Sequence, residues 1–216
     1  MKKTTLMLLA TALLIISVRG QGFLNLDFSL AYNLPSNPGI DGLPVSVTNA
    51  LPDWTAYGGH NVLSSINYLS NSFAGFSTPV QLEAGSLALG GNNFAVGLGS
   101  GGSISQTAQV PNNAESLEFE TSFALNFELY LGGQRIYYTE ISAGNGYDTY
   151  GANLPAGLAG QVETLTFYED GSATVLDGIV FSSSPIPEPG EGALLGLGAL
   201  VWGVYWRRSR TERRKH

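Results

Sequence analysis

Along the middle of the chain, apolar and polar residues alternate with a period of two. In 116–120 (S-L-E-F-E), Leu117 and Phe119 fall on one face, and Glu118 and Glu120 on the other. The stretch 125–130 (L-N-F-E-L-Y) repeats the pattern, with Leu125, Phe127 and Leu129 inward and Asn126, Glu128 and Tyr130 outward. Gly132 and Gly133 predict a tight turn into a strand over 135–139. The same alternation predicts strands at 23–28, 80–89, 94–98, 103–110, 164–168 and 174–181, separated by turns rich in Gly and Asn. About eight to ten short strands with polar outer faces predict an all-β body built as a two-sheet sandwich.

Composition agrees with that class. Of 216 residues, 28 are Gly and only 12% are charged, and the chain has no Cys. Disulfides, thiolate metal sites and cysteine nucleophiles are therefore excluded, and core packing alone must hold the body together. Between residues 21 and 186 there are fourteen acidic residues, and Arg135 is the one Lys or Arg. A surface of that sign repels phosphate backbones, so nucleic acid is not an expected partner. It suits a soluble, exported surface or matrix protein.

Positive charge sits at the two ends instead. Lys2 and Lys3 precede an apolar run of 13 residues, 6–18, which has the length of a secretory signal core. Val18 and Gly20 fit the −3 and −1 positions, placing a cut between Gly20 and Gln21; an uncleaved anchor is the alternative. At the other end, Pro185, Pro187 and Pro189 enforce an extended segment. Residues 192–206 carry no charge and as a helix would span about 22 Å, short of the roughly 30 Å hydrocarbon core. Trp202, Tyr205 and Trp206 suit the interface, and the cluster opening with Arg207, Arg208 and Arg210 is held in the cytoplasm. The expected organisation is a signal peptide at 1–20, a sandwich at 21–183 and a C-terminal signal at 184–216. The last comprises a Pro-rich motif at 185–189, a membrane helix at 192–206 and a basic tail at 207–216.

This tripartite end resembles the PEP-CTERM sorting signal of Gram-negative bacteria, a region also catalogued as an ice-binding-protein C-terminal domain, a label that does not denote ice binding. The resemblance rests on Pro187-Glu188-Pro189, the span G-A-L-L-G-L-G-A-L and the arginine cluster, in that order. It implies recognition of Pro187, Glu188 and Pro189 by an exosortase, an integral-membrane transpeptidase-like enzyme that removes the tail. The chain would be its substrate: exported across the inner membrane, held transiently by one helix, then placed at the cell surface or outside the cell. The span is short and Gly-rich, with five Gly between 190 and 203, which favours packing against the processing enzyme over service as a permanent anchor.

Phrases in the body, among them N-L-D-F (25–28), L-P-D-W (51–54), F-E-L-Y-L-G-G-Q-R-I (127–136) and L-D-G-I-V-F (176–181), resemble galactose-binding-like jelly-roll modules of carbohydrate-binding proteins. The resemblance implies a jelly-roll sandwich and, as the alternative to a purely structural role, carbohydrate binding at exopolysaccharide. Such modules often hold a calcium ion between first and last strands. Asp27 and Asp177 are the candidate ligands here, although Ser29 stands where such modules place a Glu. Strand parity with Val175, Ile179 and Phe181 would turn Asp177 inward; the alternative is a bulge at Gly178 that lets it accept backbone hydrogen bonds. No other cofactor is expected. Among aromatics in Gly- and Asn-rich connections, Trp54 reads as a core plug, and Tyr147 and Tyr150 as an exposed pair for stacking on sugar rings. His60 lacks a partner at catalytic spacing and Glu169-Asp170-Gly171 reads as a hairpin turn, so a non-catalytic protein is expected.

Overall fold

The computed structural model describes residues 22–36, 42–70, 78–85, 88–89, 92–122 and 127–187. The signal peptide with its Gly20–Gln21 cut, Glu188, Pro189, the membrane span and the basic tail lie outside the described residues. No helix among the described residues is long and apolar enough to cross a membrane.

Among the described residues, fourteen strands form two sheets. In chain order they are β1 (Leu43–Ser46), β2 (Thr55–Gly58), β3 (Asn61–Val62), β4 (Ser65–Ser70), β5 (Val80–Ala84), β6 (Phe94–Leu98) and β7 (Gly102–Gln109). They continue with β8 (Ser116–Ser122), β9 (Phe127–Leu131), β10 (Gln134–Ile136), β11 (Thr139–Ala143), β12 (Asp148–Asn153), β13 (Val162–Glu169) and β14 (Thr174–Ser182). A single helical turn, α1 (Val47–Ala50), follows β1. The eight-stranded sheet runs β1-β4-β5-β6-β14-β8-β12-β11 and the six-stranded sheet β10-β9-β13-β7-β2-β3. From β6 onward the chain passes back and forth between the sheets, which makes the sandwich a jelly roll rather than two stacked meanders.

The alternation seen in the sequence becomes the core. Leu117 and Phe119 of β8, Phe127, Leu129 and Leu131 of β9, and Leu165 and Phe167 of β13 all point between the sheets and are buried. Phe119, fully buried, lies at the centre of an aromatic cluster, with ring centroids 5.5 Å from Phe127, 5.7 Å from Phe167, 5.3 Å from Tyr138 and 5.9 Å from Tyr150. Trp54 is the core plug its position suggested: it packs on Phe28 and Phe167, and its indole N–H donates to the Asn25 carbonyl at 3.0 Å.

Strand β6 has the predicted bounds, and β7, β8, β13 and β14 differ from prediction by a few residues at their ends. Residues 23–28 do not form a strand. Asn25 and Phe28 have φ of 52° and 54°, left-handed conformations that break an extended run. Asn25 organises the loop, donating to the Pro52 carbonyl and accepting from the Leu30 N–H. The Gln106 side-chain amide bonds both main-chain groups of Leu24, at 2.7 and 2.9 Å, standing in for a neighbouring strand. The segment after Glu169 is likewise no hairpin: it carries the chain from β13 in one sheet to β14 in the other. The buried Glu169 carboxylate caps that corner, accepting from the Gly171 and Ser172 N–H groups and the Ser172 hydroxyl. Gly132 and Gly133, with φ of 61° and 73°, make the expected turn between β9 and β10.

Phe119→Ala removes the ring that bridges both sheets. It is expected to lower unfolding free energy by about 3–5 kcal/mol, measured by urea titration.

Candidate functional site

Strands that send Phe127, Leu129, Leu165, Phe167, Ile104 and Ala56 into the core must turn the intervening residues to the outer face of the six-stranded sheet. Pairing registers arrange these in two neighbouring rows. One runs Arg135, Tyr130, Thr166, Ser105, Thr55 across β10, β9, β13, β7 and β2. The next runs Glu128, Tyr168, Ser103, Tyr57, Val62 across β9, β13, β7, β2 and β3. With strands about 4.8 Å apart, each row extends roughly 19 Å. The result is a strip of phenol rings and small hydroxyls with charge gathered at one end.

That end is tightly organised. The Arg135 guanidinium is 2.7 Å from a Glu128 carboxylate oxygen and lies 5.6 Å from the centroid of the Tyr137 ring. The Tyr130 hydroxyl donates to the other Glu128 oxygen, and the Tyr168 hydroxyl to Asp170 at 3.2 Å. The Glu128 carboxylate beside Tyr130 holds that phenol above its ordinary range, and burial does the same for Tyr168, so both remain protonated donors at neutral pH. A pocket of about 230 Å³ opens here, lined by Glu128, Arg135, Tyr137 and Asp170, with Phe127 and Tyr138 on its apolar side. The Tyr138 hydroxyl donates to the Phe127 carbonyl at 2.6 Å, and burial pushes its pKa up to about 12. Tyr137 is 81% exposed, an uncovered ring held beside an ion pair.

Sequence reasoning placed Glu128 and Tyr130 outward but did not join them to Arg135, Tyr137 and Tyr168. The available signal was the lone body arginine in R-I-Y-Y, one tight turn after E-L-Y.

Tyr147 and Tyr150 do not form the expected exposed pair. Tyr150 lies on β12 and stacks on Phe119 at 5.9 Å and against Tyr138 at 5.4 Å, turned to the core. Tyr147 packs on the opposite side of that sheet, with Leu89, Ala95 and Val175, and lines a second pocket of about 230 Å³ with Ser122 and Asp148. Their rings face different sides of the sheet and cannot share one ligand. His60 sits exposed at the turn between β2 and β3.

Asp177 is buried, but not in the main core. Pairing of β14 with β8 shifts between Asp177 and Val180, and Gly178 there has a φ of 56°. This bulge changes the parity, so Leu176 and Ile179 face the core while Val175 and Asp177 face outward, beneath Leu89. The Gly178 N–H donates to Asp177 at 2.7 Å. Burial, reinforced by Glu120 directly across the strands, pushes the Asp177 pKa up to about 7 against the pull of hydrogen bonds from Gly178 and Asn92. Burial also raises Glu120 and Glu83. Asp27 instead closes its own turn, accepting from the Ser29 N–H and hydroxyl at 3.2 and 2.8 Å. Among the described residues, no three His, Asp or Glu side chains are grouped as metal ligands.

No protein-family model matches the chain, and no curated protein matches its sequence. Two solved structures align with it. TmCBM61, solved in complex with β-1,4-galactotriose, is 13% identical, with a TM-score of 0.32 over 70% of this chain and 100% of its own. The family 11 carbohydrate-binding module of the cellulosomal cellulase Lic26A-Cel5E of Clostridium thermocellum is 12% identical, with a TM-score of 0.32 over 69% of this chain and 99% of its own.

The folded state binds the Asp177 proton more tightly than the unfolded chain, whose carboxyl titrates near 3.8. The resulting stabilisation is fully present below that value and is lost as pH rises to about 7. Unfolding free energy is therefore expected to fall across that window in urea titrations at stepped pH, with Glu83 and Glu120 acting in the same direction. Asp177→Asn is expected to flatten the decline and to be more stable than wild type above neutrality.

Proposed function

We propose that the protein is an exported, non-catalytic β-sandwich that binds carbohydrate at the cell surface or in the extracellular matrix. The observation that carries this reading is the outer face of the six-stranded sheet, where Tyr137, Tyr130 and Tyr168 surround the Glu128–Arg135 ion pair. Sugar rings offer an apolar C–H face and an edge of hydroxyls. An exposed phenol ring takes the first, and a carboxylate and a guanidinium fixed side by side accept from and donate to neighbouring hydroxyls on the second. The rows of Thr and Ser hydroxyls beyond suit an extended polysaccharide more than a compact ligand. The acidic body disfavours polyanions, which leaves exopolysaccharide of low charge as the fitting class.

Delivery follows from the ends of the chain. A cut between Gly20 and Gln21 would release the body across the inner membrane of a Gram-negative host. Pro187, Glu188 and Pro189 would present it to an exosortase while the short helix and Arg207, Arg208 and Arg210 hold the tail in the membrane.

Binding of the full chain is to be measured on a glycan panel that includes the host's own exopolysaccharide. Tyr137→Ala and Arg135→Ala are each expected to weaken binding about tenfold, roughly 1.4 kcal/mol, while Tyr147→Ala leaves it unchanged. A panel without any binder, or equal binding by all three variants, rejects this face as a glycan site. Delivery is tested separately. Glu188→Ala in the native host is expected to leave the tail attached, and mass spectrometry showing normal tail loss would remove the motif from the account.

A further inference from the structure

The body does not release the chain where its last strand ends. The Ser182 carbonyl accepts from the Glu115 N–H at 2.8 Å, and the Ser184 N–H donates to the Ser182 hydroxyl at 3.1 Å. The hydroxyl of the fully buried Ser116 donates to the Ser184 carbonyl at 2.7 Å. Asn153 then takes both main-chain groups of Ile186, accepting from its N–H at 2.6 Å and donating to its carbonyl at 3.1 Å. The Ile186 side chain lies over Gly151, where an added Cβ would come within 2.8 Å of it and within 2.5 Å of Ile141. Gly151 is therefore the seat of Ile186, kept open by the missing side chain. Residues 182–186 form a strap fastened from the start of β8 and the end of β12.

We infer that the bond cut when the tail is removed lies C-terminal to Pro187, because the strap withholds everything before it. This rests on the reading of the C-terminal end as a sorting signal whose tail is removed. A processing enzyme binds its substrate extended, through hydrogen bonds to the substrate's own main chain. Those groups at Ser182, Ser184 and Ile186 are already engaged, and Pro187 has no N–H to offer. In the cut itself, the acyl group of the residue before the bond passes to the enzyme's nucleophile and then to water or an amine. The nitrogen after the bond leaves as the protonated amine of the tail. The mature protein then keeps Ile186 and Pro187, and its strap stays fastened.

Intact-mass measurement of the full chain processed in the native host gives the new C-terminus. An end at Pro187 or later is expected, and an end at Ile186 or earlier overturns the inference. A tail that is never lost overturns the underlying sorting reading instead. A second readout needs no host. Asn153→Ala in the full chain removes two hydrogen bonds and is expected to raise the rate of subtilisin cleavage within 182–187 roughly 5- to 30-fold. Asn153→Asp, which keeps the acceptor for the Ile186 N–H, is expected to fall between. Equal cleavage of all three chains would show that the strap does not restrain this segment.

Discussion

The sandwich is held by the contact of two aromatic rings, Phe119 from the eight-stranded sheet and Phe167 from the six-stranded sheet. With no cysteine anywhere in the chain, no disulfide ties the sheets together. Each added ring extends the same contact: Phe127 and Tyr138 from the β9–β10 side, Tyr150 from β12, Trp54 and Phe28 from the loops that close one end. Apolar burial of this kind is non-directional, so it fixes which face of a strand turns inward and leaves the outer face free to vary. The tyrosine strip occupies that free face.

The two faces solve opposite problems. On the six-stranded sheet, the one arginine among the described residues is neutralised by Glu128 and held beside an open ring, so charge is present without excess. On the eight-stranded sheet, Asp177, Glu120 and Glu83 lie buried or half-buried, with orphan carboxylate oxygens on all three. The first arrangement is suited to meeting a ligand. The second lowers stability at neutral pH, the cost of withdrawing carboxyl groups on β5, β8 and β14 from water.

Period-two alternation was enough to find the strands that build the centre of the core, because β8 and β9 each have one wholly buried face and β13 buries Leu165, Phe167 and Glu169 on one side. It failed where conformation rather than pattern decides. Nothing in F-L-N-L-D-F shows that Asn25 and Phe28 take left-handed φ, since the reason is a hydrogen-bonding role for Asn25 toward Pro52 and Trp54, some 27 to 29 residues away. Strands β1 to β4 lie among Gly, Ser and Asn, where turn chemistry masks short pairings. Parity across Asp177 depends on a one-residue bulge, and Gly178 was its only trace in the sequence. The candidate site was half legible: the outward positions of Glu128 and Tyr130 followed from alternation, but their meeting with Tyr168 requires the β9–β13 register, which local sequence does not encode.

The amide of Gln106 that grips Leu24 has a bearing on how the protein reaches its folded form. A chain emerges from the ribosome with its N-terminus first, yet the residue that secures Leu24 comes 82 positions later. The opening segment cannot make this contact until β7 has emerged, and the strap at 182–186 emerges later still. The two ends therefore differ: Leu24 emerges before its partner Gln106, whereas Ile186 emerges after its partner Asn153.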